Sequence, residues 1–449
     1  MNRIFIILLL IQAEFGFSQV HLQEYISFAL RSNQSIRQQE FLLQKNLYAL
    51  DEAKSLFLPT IAFNGSYTLA DGGRSIDFPV GDLLNPVYSS LNQLTATNAY
   101  PQLQNQQIQL NPNNFYDAHI RTTFPIVNAE LQYNRKIKAT QYQLQQAEID
   151  LYKRELVKEI KVAYFRYLQA GQSVGIYQSA CLLFKENLRI NNALFTNQKI
   201  NRTAVIRSEN ELSRYNALLV TARQAENNAR AYFNFLLNTD LHKSIIEDSI
   251  YALPAVTFLA DSSVARREEL TKIQYAATVN KYVIALAKSY RQPKLNSFLD
   301  LGSQAFDGKV NRGSWYYLGG LTLEWNIFSG NKNKYRVRQA AQDALVLGAQ
   351  KSYTEKHLQL QVKLAMNALV AANENYRAAS TEVLAAQKYA DDVARLYREG
   401  QVLFIELLDA QNELIRARLQ QNVSLFDAWI KTAEIERANA AYPLLQMLN

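Results

Sequence analysis

The sequence predicts a mixed α and β membrane protein made of two copies of one unit, a pair of amphipathic strands followed by a very long helical hairpin. The first basis is an internal repeat. In the first half Leu58-Pro59-Thr60-Ile61 opens an alternating stretch, Phe124-Pro125-Ile126-Val127 closes another, and a helical pattern then runs to Asn210-Glu211-Leu212. The counterparts are Gln292-Pro293-Lys294-Leu295, Trp325-Asn326-Ile327-Phe328 and Asn412-Glu413-Leu414, offset by 201 residues at the strand-to-helix junction and 202 at the Asn-Glu-Leu. A duplication of that size describes an architecture, not a pocket. The second basis is a scarcity of breakers: 9 Pro and 15 Gly in 449 residues, clustered between Pro59 and Pro125 and between Pro293 and Gly330, where the helical pattern fails. The third is the strands themselves, apolar on one side and polar on the other.

Residues 1–19 read as a cleaved secretory signal, because Met1-Asn2-Arg3 precedes an apolar core from Ile4 to Ile11 that is too short to span a bilayer. No later stretch approaches the ~18 apolar residues of a membrane helix, so any span must be a β-barrel. The first repeat is expected over 20–240. It opens with a helical pattern from His21 to Phe57, in which Leu22, Ile26, Ala29, Leu30, Ile36, Leu43, Leu47 and Leu50 recur at threes, fours and sevens. Pro59 ends it. A strand pair follows at 61–69 and 116–124, separated by a loop over 70–115 that is rich in Asn, Gln, Pro and Gly and too long for an ordinary hairpin connection. In the first strand Ile61, Phe63, Tyr67 and Leu69 oppose Asn64, Ser66 and Thr68. In the second, Ala118, Ile120, Thr122 and Phe124 oppose Asp117, His119, Arg121 and Thr123.

A long helix at 128–195, a tip at 195–202 and a return helix at 203–238 complete the repeat, and 241–264 reads as a connector. The second repeat, 265–442, supplies a helix, strands at 295–306 and 315–325, a long helix at 329–397, a tip at 397–403 and a return helix at 404–441, ahead of a tail at 443–449. Its last strand places Trp315, Tyr317, Leu321, Leu323 and Trp325 on one face. Aromatics at both ends of an apolar face are what an outer-membrane strand shows at the two lipid interfaces, so Trp315, Tyr317 and Trp325 are candidate girdle residues. A soluble sandwich core is the alternative. Four strands cannot close a barrel, and an open edge cannot sit in lipid with its N–H and C=O groups unpaired. Insertion therefore requires oligomers, and three copies supply twelve strands.

In the second long helix Leu358, Ala365, Ala372, Ala379, Ala386 and Val393 form a run at intervals of seven, and Val362, Leu369, Tyr376, Val383 and Ala390 form another displaced by four. Two heptad seams mean knobs-into-holes packing, with close approach along the alanines. Ile137, Leu144 and Leu151, together with Ile149, Leu156 and Ala163, make a shorter version in the first repeat. A helix of nearly 68 residues at ~1.5 Å each reaches on the order of 100 Å, which suits something that crosses a compartment.

The net charge of +8 comes from 48 basic and 40 acidic residues interspersed along helices, the pattern of a solvated helix face and not of a nucleic-acid partner. The one cysteine, Cys181, leaves neither a disulfide nor a thiol metal cluster. His21, His119, His242 and His357 are far apart, and there is no His-Glu-x-x-His, Gly-x-Gly-x-x-Gly, phosphate loop or Gly-x-Ser-x-Gly. No enzyme activity, metal or cofactor is expected.

Taken in order, several segments resemble the TolC family of outer-membrane efflux channels over roughly residues 20 to 442. They are Leu58-Pro59, Pro125-Ile126-Val127, Arg266-Arg267-Glu268-Glu269-Leu270, Gln292-Pro293-Lys294-Leu295, Asn326-Ile327-Phe328-Ser329-Gly330 and the run from Tyr397 to Leu414. The resemblance implies a homotrimer with a twelve-stranded barrel in the outer membrane, four strands per protomer, continued by a twelve-helix α-barrel through the periplasm. It implies a passive exit duct of a tripartite efflux or type I secretion system, fed by an inner-membrane transporter of RND or ABC type through a periplasmic adaptor. It also implies that Tyr397, Gly400, Val402 and Leu403 form a periplasmic tip turn that meets the adaptor, with Phe195, Gln198 and Ile200 as first-repeat counterparts. Gln198 stands where the family pattern has glycine. Asp391 and Asp392, nine residues before Gly400, fall near a family aspartate at the narrow periplasmic entrance, where threefold symmetry would turn one carboxylate into a ring that attracts cations. A periplasmic coiled-coil scaffold or adaptor without a barrel is the competing reading; it accounts for the heptads and leaves the leader and strand pairs unexplained.

Overall fold

The computed structural model describes residues 20–250, 252–254 and 264–443. The expected signal at 1–19, residues 251 and 255–263 of the 241–264 connector, and residues 444–449 of the tail lie outside the described residues. In chain order the elements are α1 (Val20–Ser32), α2 (Gln34–Ser55), β1 (Thr60–Thr68), β2 (Ser75–Phe78), α3 (Val80–Thr95), β3 (Gln106–Gln109), β4 (Phe115–Val127), α4 (Ala129–Thr196), α5 (Arg202–Leu237), α6 (Glu268–Lys288), β5 (Lys294–Phe306), β6 (Trp315–Glu324), α7 (Lys332–Arg398) and α8 (Phe404–Ala438). No described helix is long and apolar enough to cross a membrane.

The chain gathers into two compact units, each drawn from both repeats. One comprises Met1–Tyr48, Ala139–Asn280 and Gln342–Asn449, the other Ala49–Lys138 and Lys281–Ala341. The first is helical. The stretch from His21 to Phe57, continuous in its helical pattern, is two helices, and the break is built by Asn33. Its Oδ1 accepts the backbone N–H groups of Ser35 and Ile36 at 2.9 and 3.3 Å, capping α2, while its Nδ2 donates to the Leu236 carbonyl at 3.0 Å. The cap satisfies orphan N–H groups at a helix start and ties it to the end of α5.

Leu22, Ile26 and Ala29 of α1 pack against Leu156, Ile160 and Tyr164 of α4, Phe233 and Leu237 of α5, and Phe426 of α8. Asp248, in the connector, caps α1 from outside the helix: its carboxylate accepts the N–H groups of His21 and Leu22 at 3.2 and 3.1 Å and the Tyr164 hydroxyl at 3.0 Å. A carboxylate at a helix N-terminus is favoured by the dipole as well as by the hydrogen bonds. Along α7 the alanine run is buried at Ala372, Ala379 and Ala386, and the second seam at Leu369 and Ala390. In the first repeat Ile137, Ile149, Leu156 and Ala163 are buried, with Leu144 and Leu151 half-buried.

The second unit is built on a four-stranded antiparallel sheet in the order β1-β4-β5-β6. The segment 70–115, expected to be a loop, is instead an ordered insert. It holds α3 and a two-stranded ladder in which Ser75 pairs with Gln109 and Phe78 with Gln106. Asn85 Oδ1 accepts from the Leu103 N–H at 2.7 Å, and Asn85 Nδ2 donates to the Leu103 carbonyl at 2.9 Å. Asn92, two turns on, does the same to Tyr100 at 3.1 and 2.8 Å. The Asn and Gln content that signalled a loop is thus the hardware of an insert, since an amide side chain satisfies a backbone N–H and C=O together.

Candidate functional site

The register sorts the sheet into two faces. Phe63 lies opposite Ile120, Ile120 opposite Leu301 and Leu301 opposite Tyr317, so one row crosses all four strands. On that face the next row to one side holds Ile61, Thr122 and Leu299, the next to the other side Gly65, Ala118, Ser303 and Trp315, and the row beyond it Tyr67, Tyr116 and Ala305. The large apolar side chains on the face are uncovered, Phe63 at 74% and Tyr317 at 80% exposure, while Tyr116, Thr122 and Ala305 are half-buried. Trp315 starts β6, and Trp325 lies one residue beyond its end, so the expected strand bound of 325 is one residue long. Ten residues apart, the two indoles are roughly 33 Å apart along an extended chain at ~3.3 Å per residue. For a strand tilted by ~40° that is about 25 Å of height, the apolar band of an outer-membrane barrel.

The other face is polar and internally paired. Arg121 of β4 holds Asp300 of β5 in a two-pronged ion pair, Nε to Oδ1 and Nη2 to Oδ2, both 2.7 Å, and lies 5.5 Å over the Phe298 ring. Asp117 accepts the Tyr316 hydroxyl at 2.8 Å and sits 3.1 Å from His119 Nδ1. Gly320, opposite Phe298, leaves room for that ring: a Cβ there would meet it at 2.8 Å. Periodicity placed Arg121 on this face; its partner comes from the other repeat and only pairing reveals it.

The two hairpin tips have one geometry. After α4, the Gln198 N–H donates to the Phe195 carbonyl and the Lys199 N–H to the Leu194 carbonyl, both at 2.9 Å. After α7, Gly400 donates to Tyr397 at 3.0 Å and Gln401 to Leu396 at 2.9 Å. Gln198 and Gly400 are both left-handed, with φ of +54° and +74°. Asn201 and Leu403, the next caps, match at φ −79°, ψ 153° and φ −78°, ψ 156°. Gln198 therefore departs from glycine without changing the turn. Leu403 and Phe195 are exposed at these tips, and Ile200 and Val402 half-buried.

Tyr397 closes the last turn of α7. Its hydroxyl donates to Asn191 Oδ1 of α4 at 2.7 Å, Asn191 Nδ2 donates to Ser208 Oγ of α5 at 2.7 Å, and Ser208 Oγ donates to the Ala204 carbonyl at 2.9 Å. Burial pushes the Tyr397 phenol above its ordinary pKa, so it remains a donor. Asn191 and Ser208, both fully buried, were not among the residues the sequence pointed to. Their signal was weak, a polar residue interrupting a helical seam.

Asp391 and Asp392 differ in their surroundings. Asp392 pairs with Arg395 at 3.0 Å on its own helix, whereas Asp391 is exposed and, among the described residues, accepts only from Gln387 Nε2 at 3.0 Å. No group of residues suited to a metal occurs among the described residues.

Residues 259–435 match the outer membrane efflux protein family. No curated protein sequence matches the chain. Its fold matches the outer-membrane channel OprN at 17% identity and a TM-score of 0.75, over 94% of this chain and 90% of that one. It matches the CmeC outer membrane channel of Campylobacter jejuni at 13% and 0.75, over 94% and 85%. It also matches the outer membrane protein VceC of Vibrio cholerae at 13% and 0.74, over 93% and 95%. The family match in the second repeat and the fold match over nearly the whole chain show the resemblance to the TolC family of outer-membrane efflux channels.

Proposed function

We propose that this chain is the outer-membrane channel of a tripartite exporter, a homotrimer whose twelve strands close one barrel and whose helices form the periplasmic duct. The observation that carries this reading is the uncovered apolar face of a sheet with two free edges. Among the described residues β1 and β6 each pair on one side only, and an exposed apolar surface of this extent is untypical of a soluble monomer. Pairing β1 with β6 of the next copy removes every edge, and lipid covers the face. The duct has no energy source, so an inner-membrane transporter of RND or ABC type and a periplasmic adaptor supply drive and opening. The exposed Leu403 and Phe195, with Val402 and Ile200, form the adaptor contact at the tips. Asp391 contributes the acidic ring at the entrance.

The test is the mass of the detergent-solubilised protein by light scattering, read with circular dichroism. Three protomers per particle are expected. A monomer with intact β signal, or release of the protein with the soluble periplasmic fraction, would overturn the reading in favour of a scaffold without a barrel.

A further inference from the structure

The two ends of the sheet differ in charge. At one end the chain joins helices four times, at Thr60, Val127, Lys294 and Glu324; at the other it closes through the insert and the short 307–314 hairpin. The insert carries Asp71, Asp77 and Asp82 against Arg74, and the hairpin adds Asp307 with Lys309 and Arg312, so this end is close to balanced. The helix-joined end is crowded with bases. α7 begins with Lys332 and Arg336 on one face and Lys334 and Arg338 on the opposite face, all exposed and none in an ion pair among the described residues. α6 adds exposed Lys281 and Lys288, and Arg135 of α4 lies 5.3 Å over the Phe57 ring. Of the acids at this end, Asp51 and Glu130 are engaged by Lys54 and Lys294 at 2.8 Å each, while Glu52 and Glu324 are exposed, so the bases outnumber the acids without excluding them.

Two features separate this belt from an ordinary solvated helix face. α7 has no acid in its first turn, and cations there face the positive end of the helix dipole, an arrangement that costs stability and gains nothing within the fold. Beside the bases stand large apolar side chains in the open: Ile327 and Phe328 are 78% and 81% exposed, and Tyr335 is 56% exposed. They extend past the end of the sheet from Trp325. Bases interleaved with exposed aromatics next to an apolar band have the chemistry of an anchor at the level of lipid phosphates.

We propose that this belt binds the headgroups of anionic phospholipids in the leaflet that meets the helix-joined end of the barrel, with Ile327, Phe328 and Tyr335 reaching the acyl boundary. The site rests on the barrel reading above. Charge complementarity selects the lipid: each Lys or Arg near a membrane surface favours anionic over zwitterionic headgroups, an attraction that salt screens.

The experiment reconstitutes the full-length protein into vesicles of phosphatidylcholine with and without phosphatidylglycerol, then counts retained lipids by native mass spectrometry. The wild type should retain phosphatidylglycerol over phosphatidylcholine by about tenfold, less at high salt, and the variant K332Q/K334Q/R336Q/R338Q should lose most of that enrichment while remaining assembled. If the fourfold change impairs assembly, K332Q/R336Q should show a partial loss. Equal enrichment in variant and wild type, or enrichment indifferent to salt, overturns the proposal. So does a wild type that binds inorganic phosphate without enriching the lipid, which would make the belt a free-anion site. Failure to insert even into pure phosphatidylcholine vesicles would instead sink the barrel reading, since no headgroup charge enters that step.

Discussion

Gly400 and Gln198 hold the same left-handed backbone, but only Gln198 carries a Cβ against it. A Cβ at Gly400 would meet nothing within 4 Å, so Gly400→Ala isolates the backbone term, about 1 kcal/mol for a non-glycine residue. Exchange of the Gln401 amide should become roughly fivefold faster, a change that local opening at the tip would report. Gln198→Gly should shift Lys199 the other way by a few tenths of a kcal/mol, the relief being partly offset by the entropy of an extra glycine in the unfolded chain. Unchanged exchange in both variants would mean that the tips open by some other route. Among the described residues Arg395 answers Asp392, whereas Asp391, proposed for the entrance ring, is answered by a neutral amide. Asp391→Asn should therefore weaken cation selectivity in planar-bilayer recordings much more than Asp392→Asn. Wild-type selectivity in the Asp391 variant would remove that residue from the pore.

The elements are governed by close packing on one side and unusual amphipathicity on the other. Ala372 and Ala379 of α7 are 2% and 3% exposed, so leucine at either position adds three heavy atoms where there is no room. Each change should cost roughly 1–3 kcal/mol by overpacking and lower the melting temperature of the solubilised protein. A variant that melts as the wild type does would mean that the helices along this seam part without cost and that the packing there does not limit stability. α3 runs the other way. Its polar residues Asp82, Asn85 and Asn92 face the returning segment, through Asn105, Leu103 and Tyr100, while Leu83, Val87 and Leu94 on the opposite side are exposed. Pro86, inside the helix, and the neighbouring amides hid this element from a reading based on breakers.

At the scale of the molecule, the Arg-Arg-Glu-Glu-Leu run has a structural purpose. Arg267 is buried, donates to the Ala438 carbonyl at 2.6 Å and grips Glu269 through two nitrogens at 2.6 and 3.0 Å. Arg437 of α8 joins Glu269 at 2.8 Å to Glu155 of α4 at 3.0 Å, and Arg154 reaches Glu268 and the Tyr442 carbonyl. Three helices and Tyr442, just beyond α8, are held by one ionic network. Burial alone would raise the Glu269 pKa, but the Arg267 hydrogen bonds and the Arg437 and Arg267 charges outweigh it and bring the carboxyl down to about 2. A folded pKa below the unfolded value of 4.5 means stability that is complete above about pH 4.5 and is lost as pH falls toward 2, on the order of 3 kcal/mol per protomer. The melting temperature of the wild type should drop through that window. Glu269→Gln should melt lower at pH 7 and show a shallower acid dependence, Glu155 keeping part of it. An identical acid profile would assign the dependence to other carboxylates.

The sequence by itself determined the repeat, the four strands with their facing, the long helices with their seams, and the position of both tips. Each of these is written in local periodicity or in the placement of Pro and Gly, which act over a few residues. It did not show that Asn33 splits the first helix, because an Asn cap gains its value from the Leu236 carbonyl on α5. It did not show the ordered insert, since Asn85 and Asn92 are loop residues until a backbone lies within reach of their amides. Nor did it show the pairs Arg121 with Asp300, Tyr397 with Asn191, and Arg437 with Glu155 and Glu269, whose partners are separated by 179, 206, 282 and 168 residues. Periodicity assigns a residue to a face; only the tertiary structure decides what meets it there, because side-chain hydrogen bonds and ion pairs depend on positions in space that no local pattern encodes.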